Sequence, residues 1–95
     1  PIASEACQLL QNEPNPFAVS TKITFVIPVK EDVRISIYDI FGKEVAAFTG
    51  TYNNGKHSII WDGTGFNGNR LSVGTYYYRM QAGNYNKVRK MVLFK

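Results

Sequence analysis

The segment Val33–Val45, VRISIYDIFGKEV, constrains the fold more than any other stretch of this sequence. Its apolar residues, among them Ile35 and Ile37, alternate with polar ones, which is the two-residue period of a strand with one buried face. Gly42 follows shortly and can supply the positive φ that a tight connection needs. Glu44 then begins a second extended run, so no helix fits between the two. The segment predicts a strand, a short turn and a returning strand.

The rest of the chain repeats this pattern of short alternating runs between turn residues. NNG at 53–55 is a reverse-turn signal, and four glycines make 62–74 a long loop. We predict a Gly/Asn-rich connection over 49–54. About seven strands at near-regular spacing predict an antiparallel β-sandwich. The predicted core contains Phe25, Ile27, Ile35, Ile37, Ile59, Trp61, Tyr76 and Met91.

Charge is distributed unevenly along the sequence. The net charge is +4, all seven acidic residues lie at or before Asp62, and six basic residues follow it. This excess either keeps the domain soluble and protects its strand edges, or forms a docking surface for an acidic partner. The bases are spread along strands without a base-reading motif, so nucleic acid is not an expected partner. No apolar run reaches the length of a transmembrane helix, and Cys7 as the sole cysteine excludes an internal disulfide.

No set of residues in the sequence predicts catalysis. His57 is the sole histidine and lies in an alternating strand, and the carboxylates are scattered. The loop that begins at Asp62 offers oxygens that could bind calcium, although glycine-dependent turns explain it more simply. At least one ring of Tyr76–Tyr78 should be partly exposed, where it either stacks on a sugar or shields a sheet edge. We therefore predict no enzyme activity, no cofactor and no bound metal.

The last predicted strand is apolar on both faces. In KMVLFK, residues 90–95, Met91 and Leu93 point one way while Val92 and Phe94 point the other. A strand with one face in water should not show this pattern. Either a loop covers one side, or a face or edge is kept for a partner. In the second case we expect a free terminal strand whose unpaired edge groups dock by main-chain pairing.

Six sequence blocks, taken in order, resemble the C-terminal sorting domain (type A) of type IX secretion substrates. The blocks are LLQNEPNPF, TKITFVIP, VRISIYDIFGKEV, GKHSIIWDG, LSVGTYYYRMQAG and KMVLFK, and they run from Leu9 to Lys95. WDG and GTYYYRM are also similar to the immunoglobulin-like domain of flagellar hook-capping proteins. The resemblance implies a seven-stranded antiparallel immunoglobulin-like β-sandwich over 9–95, preceded by the end of a linker at 1–8.

The resemblance also implies a function in Bacteroidota and their relatives. Such domains are export signals at the C-terminus of cargo proteins, recognised by outer-membrane components of the type IX translocon. A sortase-like signal peptidase generally removes them, here in or before PIASEACQ, and the cargo is secreted or kept on the cell surface. The domain-start motif maps to Pro14, Asn15, Pro16 and Phe17. The translocon-recognition residues map to Gly74, Tyr76, Tyr78, Gly83, Lys90, Met91, Val92, Leu93, Phe94 and Lys95.

This sequence departs from many relatives at one place. Ala18, Val19 and Ser20 stand between the domain-start motif and Thr21, where relatives have Asn, Pro and Ser. This is a change within a loop. The alternative function is a structural or carbohydrate-binding β-sandwich appended to a secreted enzyme. A complete gene product distinguishes the two, because an export signal needs these residues at the extreme C-terminus.

Overall fold

Seven strands form two antiparallel sheets that enclose one apolar core, which confirms the predicted β-sandwich. The computed structural model describes residues 6–94. One sheet has the strand order β1-β2-β5 and the other the order β4-β3-β6-β7. None of the described residues belongs to a helix long and apolar enough to cross a membrane. The strands are β1 (Gln8–Leu9), β2 (Thr21–Ile27), β3 (Glu31–Tyr38), β4 (Glu44–Tyr52), β5 (Gly55–Trp61), β6 (Gly74–Ala82) and β7 (Tyr85–Leu93).

The inward-facing residues of both sheets form the core, as the alternation predicts. Of the predicted core residues, only Ile59 is not fully buried, and it still packs against the core. Ile59 lies on β5, an edge strand of the smaller sheet, so it has a strand neighbour on one side only. The core also reaches back to Cys7, which is buried within the stretch predicted as a linker end. The other predicted core residues are all buried: Phe25, Ile27, Ile35, Ile37, Trp61, Tyr76 and Met91.

The predicted connection over 49–54 is wrong, because β4 continues to Tyr52 and pairs with β3 as far as Glu31. Glycine is common in turns, but Gly50 lies within β4, where its lack of a side chain makes room for the ring of Tyr52. A Cβ at Gly50 would lie 3.1 Å from Cε1 of Tyr52. That ring packs edge-on against Phe25 with centroids 5.1 Å apart. The glycine therefore serves packing rather than chain reversal.

The segment before β2 changes from one sheet to the other. Gln8 and Leu9 pair with β2, and Glu13 exchanges backbone hydrogen bonds with Lys22 of the same strand at 3.0 and 2.8 Å. Four residues later, Phe17 pairs with β7 of the larger sheet instead. The change occurs at residues 14–16, where two prolines have no N–H to donate, so no ladder bond is lost there.

Trp61 lies where the two sheets and this N-terminal segment meet. Its ring is 1% exposed. Its centroid lies 5.7 Å from the ring of Phe17 and 5.6 Å from that of Tyr76. Its Nε1 donates a hydrogen bond of 2.9 Å to the carbonyl oxygen of Thr64. The indole thus ties the loop after β5 to the core.

Trp61→Ala should therefore lower the free energy of unfolding by about 3 to 5 kcal/mol, since it removes a fully buried ring. Urea unfolding followed by circular dichroism measures this. The control is Phe66→Ala, at a ring that is 68% exposed, which should change stability by no more than about 0.5 kcal/mol. Equal effects of the two substitutions would contradict the placement of Trp61 in the core.

Candidate functional site

The domain-start motif lies directly on the outer edge of the last strand. Asn15 Oδ1 accepts a 2.9 Å hydrogen bond from the backbone N–H of Val92. The N–H of Phe17 donates to the carbonyl oxygen of Val92 at 3.0 Å, and the N–H of Phe94 donates to the carbonyl oxygen of Phe17 at 2.8 Å. Phe17 and Leu93 are parallel bridge partners. We call this contact between residues 15–17 and 92–94 the terminal joint.

The edge next to the terminal joint is also covered. Gln11 Nε2 donates a 2.8 Å hydrogen bond to the carbonyl oxygen of Lys90, and Arg89 Nε donates to the carbonyl oxygen of Leu9. The expectation of a free terminal strand with unpaired edge groups is therefore wrong for the stretch from Lys90 to Phe94. The N-terminal segment protects this edge in place of a neighbouring strand.

Asn12, for which no sequence pattern predicted a role, fixes the course of this segment. Its side chain is buried, and its Nδ2 donates to Thr21 Oγ1 at 2.9 Å and to the carbonyl oxygen of Pro14 at 3.2 Å. Thr21 Oγ1 in turn donates to that same carbonyl at 2.9 Å. Buried polar groups are costly unless paired, and these groups satisfy one another. The sequence signal that could have predicted this contact is the presence of two polar residues, Asn12 and Thr21, on either side of the proline motif.

Tyr78 joins the same segment to the larger sheet. Its hydroxyl donates to the carbonyl oxygen of Leu10 at 2.7 Å and accepts from the N–H of Asn12 at 2.9 Å. Burial raises the pKa of Tyr78 to about 12, although the Asn12 hydrogen bond and the Arg89 charge oppose the rise. Tyr78 therefore acts as a structural tie and presents no surface to a partner.

The structure separates the predicted translocon-recognition residues by exposure. Tyr76, Tyr78, Met91 and Leu93 are buried in the core. Gly83 forms the turn between β6 and β7 with φ of 57°, at the other end of β7 from the terminal joint. Lys95 lies outside the described residues. The remaining residues reach the surface around the start of β6 and the end of β7: Gly74, Lys90, Val92 and Phe94.

Gly74 is one of these exposed residues. Gly74 has φ of 146°, in the region that favours glycine, and begins β6 opposite Leu93.

In the domain-start motif, Pro14 and Pro16 both follow cis peptide bonds and lie on the surface. Phe17 is buried and anchors the motif against Trp61. The motif thus combines one core anchor with exposed flanking residues.

The loop after β5 uses its polar groups internally. Asp62 Oδ1 accepts from Thr64 Oγ1 at 2.6 Å and from the N–H of Thr64 at 3.2 Å, and these bonds lower the pKa of Asp62. Asn67 Oδ1 accepts from the N–H of Asn69 at 3.0 Å. Residues 6–94 contain no group of three or more His, Cys, Asp or Glu side chains arranged to hold a metal ion. These oxygens stabilise turns.

Arg70 fastens this loop to the residues that follow the domain-start motif. Its guanidinium donates to the carbonyl oxygen of Asp62 at 2.9 Å, to that of Val19 at 3.3 Å and to that of Ala18. Two of these acceptors lie in the loop between the domain-start motif and β2. Because main-chain carbonyls accept the bonds, this contact does not depend on the side chains of Ala18 and Val19.

Tyr78→Phe should lower the free energy of unfolding at neutral pH by about 1 to 3 kcal/mol, because the Leu10 carbonyl and the Asn12 N–H lose a buried partner. Folding favours the protonated phenol, so the wild-type domain loses stability as the pH rises from about 10 to about 12. Tyr78→Phe should show a smaller loss over that range. Urea unfolding between pH 7 and 12 measures both effects.

Tyr77→Phe is the matched control, since Tyr77 lies on the opposite face of the same strand and is partly exposed. Its effect at neutral pH should stay within about 0.5 kcal/mol. Equal stability of the two variants at neutral pH would show that the Tyr78 hydroxyl does not hold the N-terminal segment.

Comparison of the chain with known proteins identifies its family and its structural neighbours. The profile of the FlgD Ig-like domain matches residues 16–86. Dimeric latent PorU from Porphyromonas gingivalis is similar in structure, with TM-score 0.77 and 21% identity over 92% of this chain. PorZ of the same bacterium, a surface component of the type IX secretion system, gives TM-score 0.62 and 16% identity over 90% of the chain. FlgD from P. aeruginosa gives TM-score 0.62 and 25% identity over 82%.

The chain corresponds to only part of these proteins. It spans 9% of the PorU chain, 11% of the PorZ chain and 67% of the FlgD chain. A search of curated protein sequences finds no significant match. The match of the family profile covers most of the sandwich, including the end of the domain-start motif and β2 to β6. The chain therefore belongs to the family of FlgD Ig-like domains.

Proposed function

We propose that this chain is a C-terminal sorting domain that directs a larger cargo protein through the type IX secretion system. In this proposal, outer-membrane components of the translocon recognise the folded domain, and a sortase-like signal peptidase removes it from the upstream cargo. The cargo is secreted or remains at the cell surface. The domain itself acts as a signal and catalyses no reaction.

The observation that carries the proposal is the terminal joint. The resemblance assigns the start of the domain to residues 14–17 and much of the signal to the closing strands, which include residues 90–95. These two blocks lie at opposite ends of the sequence, yet backbone hydrogen bonds of 3.0 and 2.8 Å link Phe17 to Val92 and Phe94. A sorting signal read from the folded domain requires its parts to form one surface.

The similarity to PorZ supports the same proposal at the level of the fold. PorZ is an essential surface component of the type IX secretion system, and most of this chain superimposes on part of it. The fold alone also fits FlgD of the flagellar hook cap, so it does not distinguish an export signal from a spacer. The ordered sequence blocks and the terminal joint favour the export signal.

The structure changes the way in which the last strand can be recognised. Hydrogen bonds to the N-terminal segment occupy its edge groups from Lys90 to Phe94, so addition of a partner strand there would have to displace that segment. Side chains remain available instead. Lys90 is exposed, Val92 is partly exposed and Phe94 is 49% exposed. We propose recognition through these side chains on a closed edge.

The test uses a fluorescent reporter fused to this domain behind a Sec signal, expressed in a bacterium with a working type IX system. The intact fusion should reach the cell surface or the medium. Phe94→Ser should reduce export about tenfold, equivalent to about 1.4 kcal/mol of recognition free energy, without altering the melting temperature. Val29→Ser, at an apolar side chain that is 46% exposed and lies between β2 and β3, is the matched control and should export normally.

The outcomes distinguish a failure of the sorting proposal from a failure of the role proposed for Phe94. Retention of the intact fusion in the periplasm would refute the sorting proposal and favour a spacer. Normal export of folded Phe94→Ser would show that this side chain is not read. Deletion of residues 90–95 is less informative, because it also removes Met91 and Leu93 from the core.

A further inference from the structure

Exposed apolar side chains cluster around the turn between β3 and β4. Ten large apolar side chains are exposed among the described residues, and five of them lie here. Single exposed apolar residues are normal on a protein surface, whereas a cluster usually marks a binding site. We call this cluster the apolar patch; its exposed members are Ile40, Phe41, Val73, Tyr77 and Val88, and the partly exposed Tyr38 lies between them.

The apolar patch is continuous across the outer face of the larger sheet. Tyr38 and Tyr77 are direct partners across β3 and β6, and Val88 on β7 is the partner of Arg79. A depression of about 330 Å³ lies between the turn and these strands. A second one, of about 210 Å³, lies between the turn and Val73. Both are lined by Ile40, so the two depressions adjoin each other on either side of the turn.

The turn that carries Ile40 and Phe41 is held by hydrogen bonds rather than by packing. Asp39 Oδ1 accepts from the N–H of Phe41 at 2.9 Å and from the N–H of Lys43 at 3.0 Å. The carbonyl oxygen of Asp39 accepts from the N–H of Gly42, whose φ is 83°. Phe41 is nevertheless 87% exposed. A fixed turn that presents an exposed ring has already lost the backbone freedom that binding would otherwise cost.

The charges around the apolar patch are mainly positive. Lys43 ends the turn, Lys90 is the cross-strand partner of Tyr77, and Arg79 lies next to Tyr77 on the same face of β6. The nearby carboxylates are already engaged. Asp39 accepts bonds within the turn, and Glu44 forms an ion pair with Arg34. A surface with acidic groups around an apolar centre would complement this rim.

We propose that the apolar patch docks a protein partner that presents apolar side chains flanked by carboxylates. This inference rests on the proposed function and assigns that partner to the secretion apparatus. The two depressions are suited to receiving side chains, and tyrosine and arginine are enriched at the energetic centres of protein interfaces. An anionic lipid surface would use the same rim, but it offers no side chains to fill depressions.

The first test compares two exposed phenylalanines in the reporter fusion. Phe41→Ser should reduce export about tenfold, equivalent to about 1.4 kcal/mol of binding free energy. Phe66→Ser removes a ring that is 68% exposed on the loop after β5, outside the apolar patch, and should export like the intact fusion. Both variants should keep their stability within about 0.5 kcal/mol, because neither ring is buried. Normal export of Phe41→Ser would overturn the inference while the intact fusion still upholds the sorting proposal.

The second test addresses charge. Lys43→Glu reverses the rim at the turn and should reduce export, while Lys30→Glu makes the same change in the turn between β2 and β3 and should not. Equal export of the two variants would overturn the acidic character of the partner. Unlike a truncation, neither variant removes a residue of the core.

The third test identifies the class of partner. A photoreactive p-benzoylphenylalanine at position 41 of the exported fusion should give a protein adduct that Lys43→Glu weakens. The same group at position 66 should not give that adduct. A lipid adduct at position 41 would overturn the inference in favour of membrane binding, and so would the absence of any adduct from a fusion that is still exported.

Discussion

The pairing of Phe17 with the last strand is the contact on which the rest of this structure depends. It gives β7 a second neighbour, because the N–H and carbonyl of Phe17 bond to Val92 and Phe94. It also places the Phe17 ring against Trp61, so a main-chain contact at the sheet edge and a ring contact in the core are made by one residue. An edge that would otherwise invite pairing with other chains is closed in this way.

This contact also explains why the ends of the domain depend on each other. The Asn15 side chain and the Val92 N–H that it accepts from are 77 positions apart in the sequence. A bond between such distant residues is made only when most of the chain is ordered, because loop closure must be compensated first. Removal of either end therefore exposes the other, so under the proposed function a truncation cannot separate a lost signal from a lost fold.

The sequence predicted the strands well because their apolar residues alternate, and it predicted less where the structure depends on contacts between distant residues. Ile35 and Ile37 are buried as the two-residue period requires. The sequence predicted a turn near Gly50 because glycine is common in turns, and no local pattern shows that this glycine makes room for the Tyr52 ring. The role of Asn12 and the closed edge of β7 depend on which segment passes beside them, and no local pattern contains that information.

The pleat of β7 divides the residues of the candidate site between two tasks. Met91 and Leu93 face the core, whereas Lys90 and Val92 point to the outer face of the sheet. Neighbouring residues of one motif therefore act in different ways, and under the proposed function a substitution tests recognition only at an outward position. The two faces of β7 are thus apolar for different reasons, since Met91 and Leu93 fill the core whereas Val92 lies on the outer face. The sequence pattern alone could not show which of the two faces is buried.

Lys90 connects the strand edge that the N-terminal segment covers to the apolar patch. Its carbonyl oxygen accepts a hydrogen bond from Gln11 in the N-terminal segment, and its residue pairs with Tyr77 within the patch. A partner that binds the patch and its basic rim would therefore contact a strand whose other edge is held by the start of the domain. An unfolded chain carries the same residues but lacks this arrangement. Under the proposed function, recognition at this surface would select folded domains, because the patch forms only when β3, β6 and β7 have paired.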